Sequence, residues 1–320
     1  MTKSKKWIIS GSVLVGVGML ICLTAYALSG YDFTKLNNVK YVSNTYNVND
    51  VFENINIKAD TENISFLPSD DGKCKVVCYE EENMTHNVRT ENGTLVIDGN
   101  TKKKVQIMNI GVMTQIPEIT LYLPKKEYEI LTIDSDTGDT VIPKEISFES
   151  INVTLSTGDV TCNSSADGTI SIGTDTGDIN IYNVSASDMK LVSDTGDVDI
   201  SDVTLTENLY IEENTGDVTM KNVSCRNFTS KEDTGSLNMT NVIASDEFRL
   251  ESDTGDIEFN GCDAETIYAK SDTGDITGTL LRDKLFITET DTGNVNVPKT
   301  VTGGRCEIIT DTGDINIEVK

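Results

Sequence analysis

The sequence is poor in the side chains that most enzymes use for acid–base and nucleophilic chemistry. Its 320 residues include one histidine, His86, one tryptophan and five prolines. A Ser-His-Asp arrangement needs a histidine, and His86 lies outside the repeated part of the chain. The phosphate-binding loop of nucleotide hydrolases and the glycine-rich dinucleotide fingerprint do not occur either. The sequence therefore predicts a protein that is not an enzyme.

Positive charge is also scarce. The chain has 26 lysines and arginines against 52 aspartates and glutamates, which gives a formal net charge of −26. Nucleic-acid binding requires a basic surface that neutralises phosphates, so we expect no nucleic-acid partner. The same charge disfavours adsorption of the folded body to anionic lipid headgroups.

The seven cysteines show no metal or disulfide pattern. Cys74 and Cys78 lie four residues apart on one predicted strand, which is too far for an easy disulfide. Cys162, Cys262 and Cys306 fall on inward positions of the repeat, where a thiol packs as a small apolar group. Because the usual zinc-site spacing is absent, we expect neither a thiolate metal site nor a cofactor.

One long uncharged segment occurs near the N-terminus. Residues 7–28 carry no charge and follow Lys3, Lys5 and Lys6. A helix of this length spans a hydrocarbon core of about 30 Å, and the lysines predict that residues 1–6 lie in the cytoplasm and the rest of the chain outside. The alternative is a cleaved signal peptide, because Ala25-Tyr26-Ala27 resembles a cleavage site. The polar residues 29–50 predict a linker.

The dominant feature is a repeated Asp-Thr-Gly-Asp motif. Its glycine recurs every 19 or 20 residues, at Gly138, Gly158, Gly177, Gly196, Gly216, Gly235, Gly255, Gly274, Gly293 and Gly313. A fixed period of this size indicates a solenoid, and it is too short for crossover helices. The sequence predicts an all-β fold: a single parallel β-solenoid (β-helix) with about ten regular rungs over 131–320. The irregular residues 51–130 predict an N-terminal β cap with degenerate rungs, in which Glu62 takes a glycine position.

Apolar residues alternate on both sides of the glycine. They lie seven and five positions before it, as Ile170 and Ile172 do, and two and four positions after it, as Ile179 and Ile181 do. This alternation is typical of strands with one buried face. Each repeat is therefore predicted to form a strand, the glycine turn, a second strand and a second turn. In five successive repeats that second turn carries Asn, Asp or Gly six positions after the motif glycine, at Asn183, Asp202, Asn222, Asn241 and Gly261, residue types that tolerate the left-handed region. Successive rungs are predicted to stack in chain order.

Stacking brings the aspartates of the motif together along an acidic edge. Carboxylates about 5 Å apart repel each other by about 1 kcal/mol per neighbouring pair in water, and calcium prefers such oxygen ligands. The candidate calcium ligands are Asp175, Asp178, Asp194, Asp197, Asp253, Asp256, Asp272 and Asp275. The alternative is a solvated edge whose carboxylates are satisfied by turn hydrogen bonds. Asp-Thr-Gly also occurs in aspartic proteases, but a column of turns provides no facing pair in a closed cleft.

Several of these features together resemble one bacterial family. They are the Asp-Thr-Gly-Asp-Ile repeat, the alternating strands, the early Ile64-Ser65-Phe66-Leu67-Pro68-Ser69 element and the N-terminal anchor. The chain is similar over roughly residues 51–320 to the "putative adhesin" domain family, domain of unknown function 4097. The resemblance implies an envelope protein, in some members one linked to envelope-stress responses. It transfers no catalytic residues.

The function favoured at this point is that of a membrane-anchored extracytoplasmic solenoid. It would act as a surface binding, adhesin-like or scaffold protein of the bacterial envelope, with a protein or a cell-surface polymer as partner. The alternative is a regulatory accessory protein that senses envelope stress and docks a membrane partner. A polysaccharide-degrading enzyme is a third possibility, but the uniform spacing of the acidic residues leaves no irregular loops to form a cleft.

Overall fold

The computed structural model describes residues 3–28, 30–31, 40–99 and 116–320. It begins with one helix, α1 (Lys3–Leu28), in agreement with the uncharged segment of the sequence. The window Gly11–Leu28 has a mean hydropathy of 2.0, and none of its residues is buried within the described part of the chain. By length and composition this helix is able to cross a membrane.

All other regular structure in the described residues is β. The first seven strands are β1 (Tyr41–Val48), β2 (Asn54–Ala59), β3 (Asn63–Pro68), β4 (Cys74–Glu81), β5 (His86–Glu91), β6 (Thr94–Gly99) and β7 (Glu118–Leu123). The next ten are β8 (Glu127–Thr137), β9 (Thr140–Ile142), β10 (Ser147–Thr157), β11 (Val160–Cys162), β12 (Thr169–Thr176), β13 (Ile179–Tyr182), β14 (Ser185–Ala186), β15 (Asp188–Ser193), β16 (Val198–Leu205) and β17 (Asn208–Thr215). The last nine are β18 (Val218–Thr234), β19 (Leu237–Thr254), β20 (Ile257–Cys262), β21 (Thr266–Thr273), β22 (Ile276–Leu280), β23 (Lys284–Thr292), β24 (Val295–Asn296), β25 (Gly304–Thr312) and β26 (Ile315–Val319).

The predicted parallel β-solenoid is confirmed. We call the side built from strands that precede the motif glycine the leading face; β8, β10, β12, β15 and β17 pair there in parallel, each with the next. The trailing face contains the strands that follow the glycine, and β9, β11, β13 and β16 pair there in the same way. The long strands β18 and β19 run through the second turn and belong to both faces.

The core lies between the two faces and has the predicted register. In the six repeats from Gly177 to Gly274, the apolar side chains that the pattern predicts to face inward are at most 2% exposed. These residues are Ile170, Ile172, Ile179, Ile181, Met189, Leu191, Val198, Ile200, Leu209, Ile211, Val218, Met220, Leu237, Met239, Phe248, Leu250, Ile257, Phe259, Ile267 and Ala269. The Phe248 ring packs against those of Phe228 and Phe259, with centroids 5.8 and 6.5 Å away. Burial of this continuous apolar column stabilises the stacked rungs.

The motif glycine is required by close approach of the backbone. Gly177 has φ of 142°, and a Cβ added to it would lie 2.5 Å from the carbonyl carbon of Gly158 in the preceding rung. The same contact with the neighbouring rung recurs along the whole glycine column. A side chain at this position would therefore force adjacent rungs apart.

The second turn also has the predicted conformation. Asn183, Asp202, Asn222 and Asn241 have φ between 53° and 58°, and Gly261 has φ of 67°. The left-handed region is costly for most side chains but tolerated by Asn, Asp and Gly. The Asn241 amide also donates to Asn222 Oδ1 at 2.9 Å, so this turn is bonded from rung to rung.

The N-terminal end is closed by antiparallel strands, as a solenoid cap requires. On the trailing face β1 pairs with β4 and β4 with β7, and on the leading face β5 pairs with β6. Glu62 occupies the glycine position, because a Cβ added at Gly138 would meet its backbone. Strand β1 lies within the predicted linker 29–50, which is therefore wrong for 41–48: Tyr46 and Val48 pack against the core despite polar neighbours. The sequence also predicts a strand at Val105–Met108, which lies outside the described residues.

The order of the last rungs differs from the predicted stacking in chain order. Strand β25 pairs with both β21 and β23, and β26 pairs with both β22 and β24. The C-terminal rung, β25 and β26, therefore lies between the rung of β21 and β22 and the rung of β23 and β24, although β23 and β24 precede it in sequence. Gly303 and Gly304 make room for this insertion. A Cβ added to Gly303 would lie 2.5 Å from the carbonyl carbon of Asp283, and a Cβ added to Gly304 would lie 2.9 Å from the carbonyl carbon of Glu265. The displaced rung is that of β23 and β24. Its buried Lys284 side chain forms an ion pair with Asp263, in which Nζ lies 2.7 Å from Oδ1.

The glycine contact leads to a direct prediction. Gly177→Ala should destabilise the fold by at least about 2 kcal/mol, because it adds a backbone clash to an unfavourable φ. Gly173→Ala is the matched control in the same rung, since its added Cβ would lie 3.8 Å from the Val192 carbonyl oxygen, an ordinary contact. Denaturant unfolding of the full chain in detergent measures both changes. Equal stability of the two variants would contradict the close-contact argument.

Candidate functional sites

The acidic edge is built as predicted, with one added feature. Eight of the ten motif glycines are followed by aspartate, and each of these aspartates accepts a hydrogen bond from the backbone N–H at the same position of a neighbouring rung. Asp178 Oδ1 accepts from Asp197 N at 2.9 Å, and Asp256 Oδ1 accepts from Asp275 N at 2.8 Å. Asp139, Asp159, Asp197, Asp217, Asp275 and Asp314 make the same bond. One oxygen of each carboxylate thus joins rungs.

The aspartates before the glycine have more varied partners. Asp194 Oδ1 accepts from Asn214 Nδ2 at 3.0 Å, and Asp272 Oδ1 lies 2.6 Å from Lys270 Nζ. Asp175 and Asp253 are exposed at the same edge. Within the described residues, no three of the eight candidate calcium ligands bring their oxygens within 4.8 Å of one another. Calcium binding by this edge stays a prediction.

A column of polar side chains faces inward just before the glycine turn. Its usual members are hydroxyls that donate to a glycine carbonyl of a neighbouring rung, as Ser271 does to Gly255 at 3.0 Å. Two adjacent rungs carry glutamates instead. Glu213 accepts from Thr215 N at 2.8 Å, and Glu232 accepts from Ser230 Oγ at 2.6 Å.

These two glutamates are buried, and desolvation raises the pKa of each to about 7. The carboxylate of Glu213 contributes to the raised pKa of Glu232, because the two residues are register partners on neighbouring strands. Protonation removes the cost of burying two like charges. This pair was not predicted, although glutamate at a position that is Ser or Thr in seven of the ten repeats, and Leu155 in one, is a visible departure from the repeat.

The leading face carries a row of outward side chains in one register, and all of them except Thr229 are large and either aromatic or basic. Lys190, Tyr210, Thr229, Arg249 and Tyr268 occupy corresponding positions of five successive rungs, and we call them the aromatic–basic column. Lys190 Nζ lies 5.6 Å from the Tyr210 ring centroid, and Arg249 Cζ lies 4.8 Å from that of Tyr268. The tyrosine rings are half-buried. Cation–π contact holds the rings and charges of this column together.

These features define an elongated parallel β-solenoid with a capped N-terminal end, an acidic turn edge and a patterned outer face. The chain belongs to the Toastrack family, domain of unknown function 4097, which matches residues 52–212 and 205–320. The family resemblance stated from the sequence is confirmed. No protein of curated function matches the chain.

Several solved structures are similar to this chain. One, described as "a putative adhesin" from Bacteroides fragilis, is 17% identical, with 88% of this chain and 97% of that chain covered and a TM-score of 0.39. Another, "putative adhesin" from Parabacteroides distasonis, is 10% identical, with 88% and 98% covered and a TM-score of 0.44. A "putative lipid binding protein" from the same species is 15% identical, with 74% and 96% covered and a TM-score of 0.41.

Calcium binding at the acidic edge is tested by melting. If the aspartates of adjacent rungs bind calcium in the folded state alone, stability should rise by about 2.7 kcal/mol at a hundredfold excess over the dissociation constant. Sodium at matched ionic strength is the control, because screening alone relieves repulsion with either ion. The same midpoint in both salts would leave the edge as a solvated structural element.

The interior glutamates predict a pH dependence. Their folded pKa of about 7 exceeds the unfolded value of 4.5, so stability should fall as pH rises from about 4.5 to 7. Glu232→Gln should reduce that loss by about 2 kcal/mol, because the neutral amide never ionises. Glu258→Gln removes the same charge from an exposed site of the trailing face and should keep the wild-type slope. Thermal melting at several pH values measures the stability of both variants. The same dependence of stability on pH in both would show that the buried glutamates are not its cause.

Proposed function

We propose that this chain is a membrane-anchored, extracytoplasmic binding protein of the bacterial envelope, adhesin-like in role. Helix α1 anchors it, and the solenoid presents its outer face to a cell-surface polymer. The aromatic–basic column is the observation that carries this proposal. Family membership supports the envelope setting, and the solved structures described as "putative adhesin" are in keeping with it.

The geometry of the column suits an extended ligand. Strands of one face lie about 4.8 Å apart, so Tyr210 and Tyr268, three rungs apart, are separated by about 14 Å. Flat tyrosine rings offer apolar contact area together with a polar hydroxyl. Lys190 and Arg249 add two positive charges to a chain whose net charge is −26. A polymer with sugar rings and acidic groups matches this alternation of ring and cation.

The parallel rungs also make the surface rigid. Tyr210 is fixed by a hydrogen bond from its hydroxyl to Glu212 Oε2 at 2.8 Å, and the Arg249 guanidinium is held by Glu251. Side chains that are ordered before binding lose little further entropy when a ligand arrives. Binding by repeated weak contacts along a stiff face requires no catalytic group.

The proposed orientation rests on Lys3, Lys5 and Lys6, which precede the apolar segment and favour a cytoplasmic N-terminus. Protease added to intact cells without their wall should then degrade the solenoid. A solenoid that stays protected under conditions in which a known external protein is cleaved would rule out the envelope location.

The binding surface is tested with the full chain in detergent and cell-surface polymer from the cells that produce it. The double variant Tyr210→Ala, Tyr268→Ala should raise the dissociation constant at least about tenfold, which corresponds to about 1.4 kcal/mol. Tyr182→Ala is the matched control, because Tyr182 is a half-buried tyrosine on the trailing face. All variants should first be shown to melt near the wild-type temperature.

Two outcomes would contradict this proposal. The first is equal loss of binding in the double variant and in Tyr182→Ala. The second is the absence of polymer binding by the wild type together with stoichiometric recovery of one membrane protein from solubilised membranes. The second result would favour a regulatory accessory protein that docks a membrane partner.

A further inference from the structure

The N-terminal cap contains a buried group of side chains that the repeat does not explain. Cys78 and Glu80 point inward from β4, and His86 begins β5 on the opposite face. They are 0%, 1% and 6% exposed. The Cys78 sulfur, a Glu80 carboxylate oxygen and a His86 ring nitrogen all lie within 4.8 Å of one another. Within the described part of the chain, no other three His, Cys, Asp or Glu side chains meet this criterion.

Thiolate, imidazole and carboxylate together form a ligand set that suits zinc. Bonds of about 2.0–2.3 Å in a tetrahedral site place neighbouring ligand atoms about 3.3–3.6 Å apart. His86 Nδ1 is 2.6 Å from Glu80 Oε2, and the sulfur lies within 4.8 Å of both side chains. Side-chain movements of about 1 Å would therefore bring the three atoms into coordination distance.

A second layer of residues already orients two of these ligands. Glu80 Oε1 accepts from Asn44 Nδ2 at 2.6 Å and from Tyr46 Oη at 2.9 Å. The far ring nitrogen of His86, Nε2, lies 3.5 Å from Glu62 Oε1. A carboxylate behind a histidine fixes its tautomer and leaves the other nitrogen free to bind metal. Here that other nitrogen is Nδ1, which faces Glu80.

The electrostatics of the cap also favour a cation. Two carboxylates, Glu62 and Glu80, flank one imidazole in the buried cap. A cation bound beside them would be attracted to both carboxylates.

We propose that Cys78, Glu80 and His86 bind a zinc-class transition-metal ion, with Glu62 positioning His86. The ion would join β4 of the trailing face to β5 of the leading face and so fasten the capped end of the solenoid. No thiolate site is predicted from the sequence, because these ligands are two and six residues apart in the chain and match no common zinc motif. The antiparallel return of β4 and β5 brings them together.

The test is titration of the full chain in detergent with cobalt(II) and zinc(II) against a competing chelator. Wild type should bind one equivalent, with a near-ultraviolet thiolate-to-cobalt charge-transfer band that zinc abolishes by displacement. Cys78→Ser and His86→Gln should each weaken binding more than about 100-fold. Glu62→Gln should weaken it about 10- to 100-fold, the range for a residue that orients a ligand.

Cys74→Ser is the matched control. Cys74 is a buried cysteine on the same strand and faces inward like Cys78, but it is not a member of the cluster. This variant should keep the band and the affinity. Wild-type protein that binds no stoichiometric metal, or a band lost equally in Cys74→Ser and Cys78→Ser, would overturn the proposal. The wild-type titration decides the matter even if a ligand variant fails to fold.

Discussion

The solenoid depends on one contact, the packing of a glycine carbonyl against the glycine of the next rung. At this point the two backbones are so close that Gly177 has no room for a side chain beside Gly158. Because the backbones are so close, the N–H and C=O groups of the turns also form hydrogen bonds between neighbouring rungs. Gly177 N donates to the Thr195 carbonyl at 2.9 Å, and Ile179 N donates to the Asp197 carbonyl at 2.9 Å. A turn that would otherwise be a surface loop thus becomes a continuation of the sheet.

The acidic charge of the protein follows partly from this contact. The aspartate after the glycine satisfies the one turn N–H that the backbone ladder does not, as Asp178 does for Asp197. This charge-assisted hydrogen bond stabilises the stacking of the rungs that it joins, whereas repulsion between neighbouring carboxylates destabilises it. A repeated carboxylate can therefore be structural, and the residues with other roles are those that depart from the repeat. Glu213, Glu232 and the cap residues around His86 are such departures.

Much of this architecture could be predicted from the sequence, because the same residue pattern, which favours the same local structure, occurs about ten times. The inward positions, the glycine turn and the left-handed residues at Asn183 and Asn222 all follow from spacing and residue type. Strand β1 was missed because its inward residues alternate with Ser43, Thr45 and Asn47 in a polar segment. Pattern alone does not show that Tyr46 reaches Glu80.

The other differences arise from contacts that lie far apart in sequence. The exchange of the last two rungs depends on backbone approach at Gly303 and Gly304, which resemble ordinary loop glycines in the sequence. The cap cluster depends on which way β4 and β5 run. The aromatic–basic column needs the exact register between rungs, because a shift by one residue would turn Tyr210 into the core.

Hydrogen exchange at the glycine turns tests the central claim most directly. In the full chain, the amides of Gly177, Gly196 and Gly216 should exchange as slowly as core strand amides, because each donates to a threonine carbonyl of the next rung. Their protection should be lost together with that of the strands, in one cooperative transition. Rapid exchange of these amides while Ile172 and Leu191 stay protected would show that the turns are ordinary loops and would contradict the account.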